Sequence, residues 1–255
     1  MKKLIVNADD FGLDDETFEW TVKGFELGKL TSATIMAGMP ATGKAVEYAK
    51  AHPQFSFGVH LCIVDEKPLA DPATIPSMID PATGLLWKTR QFIVRNFLGL
   101  VKAADIQREM AAQIGALKRL GLAISHLDGH GHNHRLPQAI KALVQVRGEL
   151  GLDVPVRRCQ DLAVGRLGLM SRVINGPMQR RLEKAKFPMT DHFLMAAGHT
   201  RDEKWFSKAL VALPDGVTEI GIHPGASEEW RRIDCADCFS CDLSGVDLAT
   251  YNDIR

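Results

Sequence analysis

Four of the nine histidines in the chain fall within nine residues, at His126, His130, His132 and His134, and Asp128 lies among them. Neutral imidazole is the commonest metal ligand in proteins, and a histidine cluster that contains an acid is a usual way to bind a divalent cation. A solvated, histidine-rich loop is the alternative. The segment begins with the strand-like residues Leu-Ala-Ile-Ser, which favours a strand end over a surface loop. The spacing therefore predicts a metal site.

A second chemical signal is the adjacent pair of carboxylates, Asp9 and Asp10, soon after the first apolar run. Two ionised carboxylates buried side by side repel each other unless a counter-charge lies between them. A cation shared with the histidines would supply that charge, and one carboxylate could bind it while the other acts as a base. A helix N-cap followed by a first-turn acid is the alternative for the same two residues.

Three of the five cysteines, Cys235, Cys238 and Cys241, form the run Cys-Ala-Asp-Cys-Phe-Ser-Cys. This spacing resembles part of a zinc or iron–sulfur site, but no nearby histidine or cysteine supplies a fourth ligand. An incidental cysteine-rich segment is therefore favoured over a second metal centre. The odd number of cysteines does not indicate a disulfide framework.

The bulk composition is ordinary for a globular enzyme: 255 residues, of which 45% are hydrophobic and 24% are charged. The 31 basic and 31 acidic residues cancel, so the net charge gives no argument for binding nucleic acid or an anionic membrane. The first apolar run is too short for a signal peptide, and no stretch reaches the length of a membrane span. We expect a cytoplasmic protein that forms one domain over residues 1–255.

Short apolar runs alternate with longer amphipathic stretches about seven times, which is typical of a parallel sheet with helices between its strands. No glycine fingerprint follows the first strand, so a dinucleotide-binding fold is not indicated. We therefore predict an α/β fold of the irregular, TIM-barrel-like (β/α) barrel type. Strands are predicted at residues 3–6, 32–36, 55–59, 123–127, 154–156, 192–194, 217–222 and 248–251. Helices are predicted at residues 14–27, 45–51, 104–120, 138–150, 167–185 (with a break at Gly176-Pro177) and 202–213.

Polar residues stand at the ends of four of these predicted strands. They are Asp9 and Asp10 after the first strand, His60 after the third, Asp128 and His130 after the fourth, and His223 after the strand at 217–222. The carboxyl ends of the strands in a parallel barrel share one rim, and that rim is where active sites lie. We therefore expect these side chains to converge there, although they are far apart in sequence.

Three motifs resemble those of the YdjC-like carbohydrate deacetylases: Asn-Ala-Asp-Asp-Phe-Gly after the first strand, Gly-Val-His-Leu after the third, and His-Leu-Asp-Gly-His-Gly-His-Asn-His. The resemblance runs from Lys2 to about His223. Residues 63–100, predicted as a long loop with an irregular helix, and the divergent tail at 226–255 are the least well predicted parts. The family implies an irregular (β/α) barrel related to the polysaccharide deacetylases, one divalent metal ion, and removal of an acetyl group from an N-acetylated sugar.

The metal ligands implied by the resemblance are Asp10, His60 and His130. Asp9 would be the general base, and His223 in Ile-His-Pro-Gly would be the candidate general acid. Asp191 in Thr-Asp-His-Phe resembles a family position near the substrate. We expect Mg²⁺ or Zn²⁺, because a ligand set of two imidazoles and one carboxylate can bind either metal.

The residue types alone also fit the hydrolysis of an amide, which needs an activated water, a stabilised oxyanion and a proton for the leaving amine. His126 and Asp128 are expected to orient the metal ligands. His132 and His134 are expected to contact substrate or surface water. Arg157, after the strand at 154–156, is expected beside the site or the substrate.

Two other functions stay open at this point. A metal-dependent phosphoester hydrolase would need cationic side chains at the rim, and Arg157 and Arg158 are the close candidates. A non-catalytic metal-binding or redox module would use Cys235, Cys238 and Cys241. For the deacetylase, the expected partner is a small acetylated sugar, either a chito-oligosaccharide or a glycolipid such as hopanoid-linked N-acetylglucosamine. A homodimer is a further hypothesis.

Overall fold

The computed structural model describes residues 1–164, 169–196 and 203–254. The strands within these ranges are β1 (Lys2–Phe11), β2 (Ser32–Ile35), β3 (Ser56–Leu61), β4 (Leu127–Gly129), β5 (His192–Met195), β6 (Gly216–Ile222) and β7 (Asp247–Leu248). The α-helices there are α1 (Asp15–Glu26), α2 (Thr42–Ala51), α3 (Thr89–Phe97), α4 (Ala103–Arg119), α5 (Pro137–Leu150), α6 (Leu169–Lys184), α7 (Trp205–Val211) and α8 (Glu229–Ser240). The strands are parallel in the order β4-β3-β2-β1-β6-β5, and β7 pairs with the start of β1.

The sheet curls into a half-barrel, and the gap between its edge strands β4 and β5 is crossed by residues 155–162. Val156 forms a parallel bridge with Leu127 of β4, and Leu162 forms one with Leu194 of β5. The predicted α/β fold of the irregular (β/α) barrel type is therefore confirmed. The irregularity has a simple origin, because a connecting segment stands where a regular barrel would have a strand.

Each strand sends alternate side chains to the helices and to the inside of the curl, as the two-residue period of a strand requires. In β1, Leu4, Val6 and Ala8 belong to the hydrophobic core under the helices. Asn7 and Asp9 point inward instead and are hydrogen-bonded to each other. Polar inward residues also come from the neighbouring strands: Ser32, Thr34, Ser56, His60, Asp128 and Glu219, all buried. The inside of the barrel is thus a buried polar layer.

Local sequence signals set the helix ends. Asp14 caps α1, because its carboxylate accepts a hydrogen bond of 2.7 Å from the N–H of Thr17. α5 begins at Pro137, whose missing N–H is not needed in the first turn, and ends before Gly151, which has a left-handed φ of 58°. The predicted bounds of these two helices, 14–27 and 138–150, agree with the structure to within one residue at each end.

Three predicted elements in the middle of the chain are corrected. The fourth strand covers Leu127–Gly129 instead of 123–127, and the strand at 154–156 is a single bridge at Val156. Gly176-Pro177 does not break α6, which continues through Pro177 to Lys184. A proline removes one helical hydrogen bond, but the helix after it is held against the core by the buried side chains of Met178 and Leu182. The predicted helix starts at residues 167 and 202 lie outside the described residues.

The parts that were hardest to predict have regular elements of their own. Residues 63–100 contain 3-10 turns at Pro72–Thr74 and Pro76–Met78, followed by α3. The tail at 226–255 contributes α8, β7 and a turn at Tyr251–Asp253, in place of the strand predicted at 248–251. No helix in the described part of the chain is long and apolar enough to cross a membrane.

Gly58 on β3 faces inward and leaves the space that the His126 ring fills. A Cβ added at Gly58 would lie 2.7 Å from the ring and equally close to the His126 carbonyl oxygen. We expect Gly58→Ala to lower the free energy of unfolding by about 1–3 kcal/mol through overpacking, measured by urea denaturation.

The matched control for this experiment is Gly148→Ala in α5, where an added Cβ has nothing within 4 Å. It should raise the free energy of unfolding by about 0.5–1 kcal/mol, because alanine is the better helix former. If Gly58→Ala proves as stable as the parent chain, the close packing between β3 and His126 is contradicted.

Candidate active site

A bulge at the end of β1 brings the two adjacent aspartates to the same side of the sheet. In a regular strand Asp9 and Asp10 would point to opposite faces. Here the register between β1 and β2 shifts between Ala8 and Phe11, and Asp10 has a left-handed φ of 62°, which costs roughly 1 kcal/mol. Both aspartates are buried, with 2% and 0% exposure. The bulge thus turns a sequence pair into a pair of converging carboxylates.

Asp10, His60 and His130 meet at the carboxyl ends of their strands. Asp10 Oδ1 lies 3.2 Å from His60 Nε2 and 2.9 Å from His130 Nδ1, and three ligand atoms of this group lie within 4.8 Å of one another. Ligand atoms around a tetrahedral ion with bonds of about 2.0–2.1 Å are about 3.3 Å apart. The three side chains therefore fit a divalent cation if their ligand atoms move slightly apart from one another.

The electrostatics of these side chains also suit a cation. Burial raises the pKa of Asp10, but the hydrogen bonds from His130 and His60 outweigh it and hold that pKa well below its usual value. Burial lowers the pKa of His60, but the charge of Asp128 and the hydrogen bonds to Asp10 and Asp128 hold it well above its usual value. Surroundings that favour an ionised carboxylate and a positively charged imidazole also favour a metal ion.

Asp128 fixes the direction in which the His60 ring faces. Its Oδ1 lies 2.7 Å from His60 Nδ1, and its Oδ2 accepts a hydrogen bond of 3.0 Å from the Thr34 hydroxyl. A proton on Nδ1 leaves Nε2 free to bind a metal, as in other carboxylate–histidine–metal arrangements.

Asp9, His60 and Asp128 form a second possible ligand group, but Arg157 already neutralises both of its carboxylates.

The Arg157 guanidinium is the centre of the buried polar layer, and its side chain is fully buried. Its two terminal nitrogens donate to the two oxygens of Asp9, each at 2.7 Å. Nη1 also lies 2.8 Å from Asp128, and Nε donates to Glu219 at 2.8 Å. Burial would raise the pKa of Asp9, but the charge and hydrogen bonds of Arg157 hold it well below its usual value.

Tyr251, from the tail, closes the floor of the barrel. Its ring stacks on His126 with centroids 3.6 Å apart, its hydroxyl donates to Glu219, and its N–H donates to Ser56 at 3.1 Å. Burial raises the pKa of Glu219 to about 7 against the opposing effect of Arg157. Burial also lowers the pKa of His126 to about 3. His126, expected to orient a metal ligand, is instead a neutral part of the floor.

Helix α8 brings further side chains to the rim. Asp234 accepts hydrogen bonds of 2.8 Å from both the backbone N–H and Nδ1 of His223. Burial lowers the pKa of His223, but the hydrogen bond and charge of Asp234 outweigh it, so the pKa is raised. Trp230 packs against the His223 ring, with centroids 5.0 Å apart. Arg231 donates to Asp10 Oδ2 at 2.7 Å and so holds the carboxylate whose other oxygen faces the histidines.

Four further residues of the site were not predicted from the sequence: Glu219, Arg231, Asp234 and Tyr251. Glu219 could have been found, because a charged residue at an inward position of an otherwise apolar strand is a signal in itself. Arg231 and Asp234 are three residues apart on one helix, but such pairs are usually solvated. Nothing in the sequence around Tyr251 indicates that its ring enters the barrel.

The other histidines of the cluster are dispersed. His130–Arg135 is a kinked 3-10 turn whose second and third residues have left-handed φ angles of 57° and 56°, so successive rings point in different directions. His132 packs against Phe193 with ring centroids 5.6 Å apart. His134 is buried, and its Nε2 lies 3.1 Å from the carbonyl oxygen of Arg157. His134 therefore does not face substrate or surface water as expected.

Asp191 lies at the opposite end of the barrel from Asp10, His60 and His130. It precedes β5 and accepts a hydrogen bond of 2.8 Å from the N–H of Val217, near the start of β6. The expectation that it lies near the substrate is corrected, because Asp191 comes at the start of its strand and not at the end. Arg158 donates to the carbonyl oxygens of Thr190 and Asp191 at the same end.

Comparison with known proteins agrees with this architecture. The family described as YdjC-like protein matches residues 3–253. A carbohydrate deacetylase from Halalkalibacterium halodurans is 35% identical over 232 residues, which cover 90% of this chain and 88% of that protein. One from Thermoanaerobacter pseudethanolicus is 29% identical over 230 residues, 88% of this chain and 81% of that protein. With one from Geobacillus stearothermophilus the chain shares 34% identity over 154 residues, which span 59% of that relative.

A solved structure from Enterococcus faecalis, described as a candidate cellobiose-phosphate cleavage protein, has a TM-score of 0.78 and 22% sequence identity. The alignment covers 98% of this chain and 97% of that one. At this identity the likeness concerns the fold alone. The family match extends over nearly all of the chain and includes every residue of the site described above. The chain therefore belongs to the YdjC-like protein family.

Proposed function

We propose that this chain is a metal-dependent hydrolase that removes the acetyl group from an N-acetylated sugar, either a chito-oligosaccharide or a glycolipid such as hopanoid-linked N-acetylglucosamine. The observation that carries the proposal is the convergence of Asp10, His60 and His130 beside a second, ionised aspartate. Relatives named carbohydrate deacetylase support a sugar deacetylase activity.

Asp10 Oδ1, His60 Nε2 and His130 Nδ1 are the atoms that would hold the metal ion. When bound, a divalent cation polarises the acetyl carbonyl and lowers the pKa of a water molecule beside it. The donor set fits Zn²⁺ and tolerates Mg²⁺. His130 is the most accessible of the three, with a side chain 35% exposed, so substrate would approach from its side.

Asp9 is the proposed general base. Arg157 keeps it ionised by holding its pKa well below the usual value, so it carries no proton of its own at physiological pH. The same bidentate contact fixes the direction of the carboxylate. Asp9 would take a proton from the attacking water as the new carbon–oxygen bond forms.

His223 is the proposed general acid. Asp234 raises its pKa, which increases the protonated fraction near neutral pH. In the cleavage step the carbon–nitrogen bond breaks and His223 would give its proton to the sugar nitrogen. The products are acetate and an amine. Asp9 and the newly formed acetic acid each release one proton to solvent and His223 takes one up, so one water is consumed and one proton is released overall.

The two alternative functions find less support. A phosphoester hydrolase needs free cationic groups at the rim, but Arg157 is fully buried among carboxylates and Arg158 lies at the opposite end. A cysteine-based module needs clustered thiolates. Cys235 and Cys238 are buried in the hydrophobic core, and no cysteine belongs to a possible ligand group in the described residues.

Separate variants test the roles of Asp9 and of the metal ligands. We expect Asp9→Asn to keep metal binding and to reduce acetate release by about 10²–10⁴-fold, because it removes the base while Asp128 and Glu219 still neutralise Arg157. His60→Ala and His130→Ala should lose metal binding and activity together. Calorimetric titration with Zn²⁺ or Mg²⁺ and an acetate assay on N-acetylglucosamine, chitobiose and acetylated glycolipids measure both quantities.

The control for these variants is His192→Ala, which removes a histidine paired with Asp161 at the start of β5. It should leave metal binding and activity unchanged. If Asp9→Asn releases acetate at the parent rate, Asp9 is not the base. If His60→Ala and His130→Ala bind metal as tightly as the parent chain, the proposed centre is wrong.

The pH dependence tests the link between Asp234 and His223. Because Asp234 raises the pKa of His223, we expect Asp234→Asn to lower that pKa and to move the alkaline limb of the kcat/KM profile to lower pH. The sign follows from the role of an acid, which acts only below its pKa. Histidine NMR titration measures the pKa directly.

Asp237→Asn on the same helix is the matched control, because Asp237 binds Ser207 and not His223. Its kcat/KM profile should keep the alkaline limb of the parent chain. An unchanged limb in Asp234→Asn as well would remove His223 as the acid.

A further inference from the structure

We propose that the chain docks on the surface of an anionic phospholipid bilayer through an apolar segment, residues 94–100, and a basic groove beside it. The proposal goes beyond deacetylation and does not depend on it. The first observation is a stretch of the chain in which basic residues are not balanced by acidic ones. The chain has 31 basic and 31 acidic residues, but residues 81–104 contain Lys88, Arg90, Arg95 and Lys102 and no carboxylate.

The apolar segment exposes large side chains along the outer face of α3 and the turn after it. Val94, Phe97, Leu98 and Leu100 are 57%, 48%, 68% and 54% exposed. Phe92 anchors the inner face of α3 in the core, so the outer side chains cannot turn inward without unpacking the helix. Several large apolar groups exposed on one short segment beside basic residues are typical of helices that lie in a membrane interface.

The basic groove has a volume of about 790 Å³ and lies between α3, α5 and α6. Phe97 and Val144 form part of its apolar wall, and Lys141, Arg181 and Lys184 supply its charge. None of the residues that line it is acidic. Clusters of basic residues next to inserted apolar groups attract anionic lipid headgroups.

The same charges argue against a second copy of this chain as the occupant. In a two-fold symmetric dimer the same patch meets itself, so the cations of the groove would face one another. An anionic bilayer instead offers negative headgroups to the groove and acyl chains to the apolar segment. Charge complementarity therefore selects the bilayer.

One end of the docking surface lies beside the start of α5. Asn96, near the end of α3, accepts a hydrogen bond of 3.1 Å from the N–H of Gln138, at the start of α5. That helix follows directly after the His130–Arg135 turn, which carries a proposed metal ligand.

Co-sedimentation of the full chain with vesicles tests the proposal. We expect binding to phosphatidylcholine vesicles that contain phosphatidylglycerol, at least about tenfold weaker binding to pure phosphatidylcholine, and release by high salt. Two triple variants should each weaken binding at least about tenfold. They are Phe97→Ser with Leu98→Ser and Leu100→Ser, and Lys141→Gln with Arg181→Gln and Lys184→Gln.

The matched control is the triple variant Lys118→Gln, Arg119→Gln and Leu120→Ser. It removes two exposed cations and an apolar side chain that is 46% exposed, at the far end of α4, and it should bind as the parent chain does. Absence of binding by the parent chain, equal binding to both vesicle types, or unchanged binding of both patch variants overturns the proposal. A parent chain that ignores vesicles but dimerises through Phe97 assigns the surface to a second copy instead.

Discussion

One buried guanidinium holds the candidate active site together. Arg157 contacts Asp9 with both terminal nitrogens and also reaches Asp128 and Glu219. A buried arginine without partners, or three buried carboxylates without a cation, would each cost several kcal/mol. Their mutual neutralisation lets the inside of the barrel stay polar. Arg157 neutralises Asp9, Asp128 and Glu219. Asp10 is not among these partners and contacts His60, His130 and Arg231 instead.

The polar layer follows from the period of the strands. Inward positions alternate with the apolar positions that pack under the helices, so one strand serves two environments. Gly58 and His126 show how closely the inner positions are matched, because the ring of one fills the space left by the absent side chain of the other. Asp128 links this layer to the rim, since one oxygen faces Arg157 and the other faces His60. Rim and interior thus form one connected hydrogen-bonded unit.

The sequence predicts the fold class and brings Asp10, His60 and His130 together, because the ends of parallel strands converge whatever the details of the barrel. It does not predict the bulge that aligns Asp9 with Asp10, since no local signal marks a left-handed aspartate. The contribution of α8 was also missed, because charged residues three apart on a helix usually face solvent. Asp191 was misplaced because its motif stands before its strand.

The contacts of Tyr251 have a consequence for the order of folding. Until the turn at Tyr251–Asp253 docks, the Glu219 carboxylate has no hydroxyl to accept from, and the His126 ring has no partner on which to stack. Polar groups are costly to bury without their partners. The interior of the barrel therefore reaches its final packing only when this turn docks, and we expect closure of the floor to be a late step of folding.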